Sequence, residues 1–193
     1  QRVWQQAMAS KIGDVIVACS EKNIFDLING IGGTAILTNP NLPSGTDRIH
    51  SAIQKISNLS DIDCIINLQG DMPLISPNHI NKVIEPIKNN YSIGTLVTTL
   101  KNDEVINPNI TKAIVDWKAQ TIGTAKEFYR LKKEVKEKTE NHYHHVGIYS
   151  YTKNSLLKFV NLPKSENENS LNLEQYRAMD AGMSIGVVYQ KEI

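Results

Sequence analysis

The sequence predicts an α/β fold: a mainly parallel sheet flanked by helices, Rossmann-like in type, in a single domain over residues 1–193. Three observations point there. Strand-like and helix-like apolar patterns alternate along most of the chain. An apolar run, Asp63-Cys64-Ile65-Ile66, reads as a buried parallel strand. It closes on Asn67-Leu68-Gln69-Gly70-Asp71-Met72-Pro73, a polar turn at the carboxyl end of that strand, where open α/β sheets bind ligands.

The elements follow in order. Val3, Trp4, Ala7 and Met8 give the first segment an amphipathic helix pattern. Asp14 to Cys19 reads as a strand, and Glu21 to Ile31 as a helix with Ile24, Leu27, Ile28 and Ile31 at helical spacing. Gly32-Gly33 ends that helix, and Thr34 to Leu37 is a short strand. After the loop Asn39-Pro40 to Pro43, Ser44 or Thr46 caps a helix running to about Leu59, with Ile49, Ile53 and Ile56 as its buried stripe.

Ser76-Pro77 starts a further helix, with Ile80, Val83, Ile84 and Ile87 facing the sheet and Pro86 kinking or shortening it. Ile93 to Leu100 and Lys112 to Asp116 are strands. Ala125 to Glu140 is rich in both charge signs and reads as a solvated helix or mobile segment. Tyr143 to Tyr151 is a strand and Ser155 to Val160 a short helix. Leu162 to Asn169 reads as a polar loop. Leu173 to Ala181 is a helix stopped by Gly182, and Ser184 to Tyr189 is the last strand. An α/β domain ordinarily opens with a central strand, whereas this chain opens at Gln1 with a helix pattern, so both ends of the natural protein are expected to lie outside it.

Composition excludes several classes. A net charge of +1 offers no electrostatic basis for binding nucleic acid or an anionic membrane. No segment approaches the roughly 18 consecutive apolar residues of a bilayer span. Two cysteines, Cys19 and Cys64, fall within predicted strands and read as buried free thiols.

Candidate chemistry sits at a few places. Asp71 offers hard oxygen ligands suited to Mg²⁺, with a solvated turn as the simpler alternative. Ser44-Gly45-Thr46-Asp47-Arg48 places small residues and an Arg at a loop-to-helix junction, suited to an anion or a base edge; an ordinary N-cap is the alternative. His142, His144 and His145 lie close together, but no cysteine or acidic ligand is nearby in sequence to complete a zinc site. His145 and Tyr149 share a strand face and suit a polyhydroxylated ligand, as do Glu174 and Gln175 at a helix start. Gly30, Gly32 and Gly33 follow a helix instead of opening one, which argues against a dinucleotide site.

Taken in register, five stretches resemble the 3-deoxy-manno-octulosonate cytidylyltransferase (CMP-Kdo synthetase) family. They are Ser44-Gly45-Thr46-Asp47-Arg48, Asn67-Leu68-Gln69-Gly70-Asp71, Asn107-Pro108-Asn109 with Lys112, His145-Val146-Gly147-Ile148-Tyr149 and Leu173-Glu174-Gln175-Tyr176-Arg177. The resemblance implies a nucleotide-diphospho-sugar transferase fold, a cytoplasmic homodimer, and transfer of CMP from CTP to Kdo with Mg²⁺, for lipopolysaccharide biosynthesis. It further implies that Asp71 is the catalytic Mg²⁺ ligand, and that Ser44 and Gly45 line the cytidine pocket with Arg48 nearby. Gln69, His145, Tyr149, Glu174 and Gln175 would hold Kdo. The strand-rich span 93–151 is a candidate dimerisation extension.

The chain departs from the family pattern in places. Ala18-Cys19-Ser20 stands where the family has A-T-D, and the region from Thr121 to Arg130 lacks the family's F-S-R…I-P run. The family's glycine- and arginine-rich N-terminal stretch and its C-terminal G-x-D-T-x-x-D segment are not in this chain. The alternatives are a CMP-sugar synthetase of the sialic acid type and a degenerate, non-catalytic nucleotide-binding paralogue. The Gly147-Ile148-Tyr149 strand and the Leu173-Glu174-Gln175 helix favour Kdo over sialic acid.

Overall fold

The computed structural model describes residues 1–56, 62–117, 121–132 and 139–191. In chain order the elements are α1 (Arg2–Ser10), β1 (Ile16–Cys19), α2 (Lys22–Gly30), β2 (Thr34–Leu37), α3 (Gly45–Ile53), β3 (Ile65–Leu68), α4 (Pro77–Lys82) and α5 (Glu85–Lys88). They continue with β4 (Ile93–Thr99), β5 (Lys112–Asp116), β6 (Ile122–Tyr129), β7 (His142–Tyr151), α6 (Lys153–Val160), α7 (Glu166–Leu171), α8 (Gln175–Asp180) and β8 (Ile185–Tyr189).

The strands form two sheets. β1 and β2 pair in parallel, with Ile16 opposite Thr34. Six strands form the main sheet in the order β3-β7-β4-β8-β6-β5. Only β4 and β8 are parallel neighbours there; the other pairs are antiparallel. β5 also pairs with His142 to His144 of β7, so this part of the sheet curls round on itself.

Helices cover both sheet faces, as alternating burial on each strand requires. On one face Ile93, Val97 and Val187 pack against Leu156 and Phe159 of α6 and Tyr176 and Ala178 of α8. On the other, Leu96, Ile148 and Val188 pack against Ile75 and, from α4 and its C-terminal end, Ile80 and Val83. Ile93 to Val97 of β4 are all buried, which explains their unbroken apolar and small-residue run. A small third cluster, Cys19, Ile28 and Ala35 with Trp4 against it, holds α1 and α2 to the β1–β2 pair.

The α/β class and its flanking helices are as the sequence predicts, but the sheet is mixed, not mainly parallel. The apolar run Asp63 to Ile66 supplies β3, which begins at Ile65 and lies antiparallel to β7. A hydrophobic run cannot report strand direction, because burial on both faces yields the same pattern either way. Ala125 to Tyr129, expected in a solvated helix or mobile segment, belongs to β6. Its Ala125, Phe128 and Tyr129 are buried, and the neighbouring charges face outward. The rest of that expected segment falls partly at 133–138, outside the described residues. The polar loop expected from Leu162 to Asn169 contains the start of α7, which Ser165 caps by accepting from the Glu168 amide.

Smaller differences have equally local causes. Of the α2 stripe, Ile28 is buried while Ile24, Leu27 and Ile31 are exposed, because the two-stranded sheet covers only a narrow strip of the helix. The helix at Ser76 breaks into α4 and α5, with Pro86 in the first turn of α5. Cys19 is buried in β1, but Cys64 is only half-buried and precedes β3; both thiols are free. The stretch to Leu59, expected as the end of α3, lies beyond the observed helix and partly outside the described residues.

Candidate active site

Chain segments distant in sequence meet around one open cavity of about 740 Å³. The start of α3 contributes Gly45, the turn after β3 contributes Gln69 and Asp71, β7 contributes His145 and Tyr149, and the start of α8 contributes Glu174 and Gln175. Seven of the nine site residues singled out from the sequence therefore face a common space. Ser44 stands one contact behind it, and Arg48 points elsewhere. Its Nη1 donates to Thr38 Oγ1 at 2.7 Å and to the Asn39 carbonyl at 3.2 Å, tying α3 to the end of β2.

The start of α3 is built by local chemistry. Ser44 Oγ accepts from the Asp47 amide at 3.2 Å, capping the helix. Gly45 occupies the first helical position because Gln69 crosses directly above it. A Cβ there would lie 3.1 Å from Gln69 Nε2. Gln69 in turn donates to Asn67 Oδ1 at 2.7 Å, and buried Asn67 donates to Thr46 Oγ1 at 3.1 Å. The Asn67-Leu68-Gln69-Gly70 turn and the Ser44-Gly45-Thr46 cap are thus one interlocked unit.

His145 is buried at the back of the cavity, its ring 5.5 Å from that of Tyr149. Its Nε2 lies 3.0 Å from Thr95 Oγ1, which also lies 2.8 Å from the Ile148 carbonyl and 3.2 Å from that of Val146. The single threonine hydrogen is taken by a carbonyl, so Nε2 donates and Nδ1 is left as the ring's acceptor. Burial, and secondarily the neighbouring His144, push the imidazole down to about 3, so it is neutral. Burial likewise raises the phenols of Tyr149 and Tyr151, keeping both protonated. The other histidines are engaged separately: His142 Nδ1 with Tyr129 Oη at 2.6 Å and His144 Nδ1 with Glu104 Oε1 at 3.1 Å.

Glu174 is held by polar contacts on one side and apolar groups on the other. Its Oε1 lies 2.7 Å from Ser44 Oγ, which is also 2.6 Å from Asp47 Oδ2. Behind it is a void of about 10 Å³ lined by Ile93, Tyr149, Tyr151 and Phe159. Burial raises its pKa above the usual carboxylate range, against hydrogen bonds from Ser44 and Thr46. Arg177, next on the helix, is 3 % exposed; it makes a two-pronged pair with Glu168 at 2.6 and 2.9 Å and reaches Asp47 Oδ2 at 3.6 Å.

The cavity also contains residues that no sequence signal marked, among them Lys101, Arg130 and Lys191. Arg130 directly follows β6, within a charged stretch whose pattern resembles a solvated face. The one available hint is Lys112, the conspicuous cation after Asn107-Pro108-Asn109. It is fully buried and donates at 2.6 Å to both the Asn107 and Arg130 carbonyls, clipping the turn and Arg130 into the cavity wall. Burial lowers its pKa, partly offset by Glu104.

Asp71 is exposed at the cavity mouth. Among the described residues, no group of three or more His, Cys, Asp or Glu side chains is placed to hold a metal ion. A single hard carboxylate fits an ion that arrives with substrate phosphates, as Mg²⁺ commonly does, and does not fit a closed all-protein cage.

A mixed sheet with helices on both faces and a polar cavity accord with the nucleotidyltransferase fold, and similarity to known proteins establishes the class. Residues 1–185 match the cytidylyltransferase family. The chain belongs to the 3-deoxy-manno-octulosonate cytidylyltransferase family. It is 40 % identical over 186 residues to that enzyme from Paramagnetospirillum magneticum, covering 95 % of this chain and 75 % of the relative. It is 39 % identical over 198 residues to the one from Thermodesulfovibrio yellowstonii, covering 97 % and 78 %. A solved CMP:2-keto-3-deoxy-manno-octonic acid synthetase complexed with CTP superposes with a TM-score of 0.87 at 28 % identity, over 100 % of this chain and 78 % of that one. An inositol-1-phosphate CTP transferase from T. maritima shares the fold alone, with a TM-score of 0.61 at 14 % identity.

Proposed function

We propose that this chain transfers CMP from CTP to 3-deoxy-D-manno-octulosonate, giving CMP-Kdo and pyrophosphate for lipopolysaccharide biosynthesis. The observation that carries the reading is the gathering of Gln69, His145, Tyr149, Glu174 and Gln175 around one cavity beside Gly45 and Asp71. An amide pair, a neutral imidazole and a protonated phenol are donors and acceptors suited to a sugar with many hydroxyls. The anomeric hydroxyl oxygen attacks the α-phosphorus of CTP, the bond to pyrophosphate breaks, and the hydroxyl proton is released. Such transfers depend on positioning and charge stabilisation more than on a covalent nucleophile.

In this division of labour, Ser44 and Gly45 form the nucleotide side, and Gln69, His145, Tyr149, Glu174 and Gln175 orient the sugar. Arg48 acts indirectly, by anchoring α3, because its guanidinium is committed to Thr38 and Asn39. Asp71 would hold Mg²⁺, which when bound neutralises charge on the phosphates. Arg130 and Lys101 add fixed positive charge to the wall of a cavity that takes anionic substrates.

We also infer a homodimer formed through the span 93–151. What supports it is apolar exposure on the loops of that span, where Ile106 and Leu131 are exposed. Light scattering on the purified protein should give twice the monomer mass. The free thiols of Cys19 and Cys64 accord with a reducing cytoplasm, and no described helix is long and apolar enough to cross a membrane.

The deciding experiment measures pyrophosphate release with Mg²⁺. CTP with Kdo should support turnover, and ATP with Kdo or CTP with sialic acid should support far less. Equal release with sialic acid would move the assignment to the sialic acid type. CTP binding without release would identify a non-catalytic paralogue.

A further inference from the structure

Ser44 Oγ sits at a junction that does not balance if both neighbouring acids are ionised. It lies 2.6 Å from Asp47 Oδ2 and 2.7 Å from Glu174 Oε1, and it already accepts from the Asp47 amide at 3.2 Å. A serine hydroxyl has one hydrogen, and two carboxylate oxygens cannot both be served by it. A second proton must reside on one of the acids.

The surroundings decide which one. Asp47 is in the first turn of α3, where the helix dipole favours an anion, and it lies 3.6 Å from the Arg177 guanidinium. Glu174 backs onto Ile93, Phe159 and the protonated phenols of Tyr149 and Tyr151. Arg177, the cation nearest Glu174 on its own helix, favours the ionised form, but it is shared with Glu168 and Asp47 and does not offset burial. A hydrogen bond from Thr46 of α3 also favours the ionised form, Gln175 of α8 carries no charge and His145 is neutral; burial prevails over these contacts. Burial is the leading cause that favours the neutral acid at Glu174, and Asp47 adds to it from across Ser44.

We propose that Asp47, held by Arg177, is a positioning residue that adds to burial in keeping Glu174 in its neutral form, with Glu174 donating its proton to Ser44 Oγ and Ser44 donating to Asp47. Glu174 then presents an uncharged carboxylic acid to the cavity. Resting on the assignment of an anionic sugar acid and CTP as substrates, this removes a negative charge from the wall that both anions approach. It also makes Glu174 able to accept from one sugar hydroxyl without repelling a carboxylate. The effect belongs to specificity for acidic ligands.

The test starts with the protein alone. Carbon-13 labelling of glutamate side chains, with Glu174 assigned by its absence in Glu174→Gln, follows the carboxyl carbon through a pH titration. Glu174 should titrate above the ordinary glutamate range. Asp47→Asn, checked for an intact fold by its thermal transition, should shift that midpoint downward. A midpoint in the ordinary range, or one unmoved by Asp47→Asn, overturns the proposal. In steady-state assays the KM for Kdo reads the charge on Glu174. Asp47→Asn should raise that KM with little change in kcat, and more steeply at higher pH. A KM for Kdo in Asp47→Asn equal to that of wild type at every pH would also overturn it. A protonated Glu174 in a protein that forms no CMP-Kdo would refute the substrate assignment and leave the proton placement supported.

Discussion

The side-chain amide of Gln69 lies over Gly45 so closely that a Cβ on Gly45 would come within 3.1 Å of its nitrogen and 3.2 Å of its oxygen. This contact joins the α3 cap to the turn after β3, two segments that reach the cavity from opposite sides. Gly45→Ala sets two effects against each other. Alanine favours a helix over glycine by about 1 kcal/mol, while the methyl displaces an amide at the end of a flexible side chain. The fold should hold, with an unchanged or slightly raised Tm. KM for Kdo should rise about tenfold, equivalent to about 1.4 kcal/mol. Parallel thermal melts and sugar titrations measure both.

Asp71→Asn should reduce kcat on the order of 100-fold, about 2.7 kcal/mol of barrier, and require more Mg²⁺ for half-activation. The carboxylate is exposed, so stability should be unaltered. A Mg²⁺ titration of turnover beside a urea unfolding curve separates the two. Undiminished activity at low Mg²⁺ would remove Asp71 from the metal's coordination.

His145 links stability to pH. Its folded-state pKa is lowered to about 3, below the unfolded value of about 6.5. The unfolded chain therefore binds a proton that the folded protein does not. The folded state has its full advantage above about pH 6.5 and loses stability as pH falls toward 3. Urea midpoints between pH 7 and 4 should decline more steeply for wild type than for His145→Gln. Parallel slopes would show that His145 does not stay neutral.

Arg177→Met should destabilise the protein by about 3–5 kcal/mol, because it leaves the buried Glu168 carboxylate, and the partly buried Asp47, without their cation. Arg177→Lys should recover part of that loss, since an ammonium cannot reproduce the two-pronged contact with Glu168. Denaturant midpoints rank the three proteins. Equal losses for both variants would argue that packing of the guanidinium on Phe159, 4.7 Å away, matters more than its charge.

Local order was legible in the sequence, since period and caps are local. The strands Thr34 to Leu37 and Lys112 to Asp116 have the expected limits, and Ser44 caps α3 as its position before Gly45 suggested. Half of the residues that line the cavity also fall in the five short stretches read in register. Arg130 and Lys101 were not, because charges among other charges carry no period that separates a cavity wall from a solvated face.

The sequence by itself determined most of the segments that become helix or strand, Ala125 to Tyr129 and the start of α7 excepted, because hydrophobic period and capping act within a few residues. Tertiary structure alone decided strand direction and order. β3 meets β7 antiparallel only because Ile65 and Tyr151, 86 positions apart, become neighbours. It also decided the charge state of the site. Arg48 is drawn to Thr38, His145 is kept neutral by burial, and Glu174 is brought against Ser44 from 130 residues away. These outcomes depend on desolvation and on partners distant in the chain, neither of which is encoded in the spacing of nearby residues.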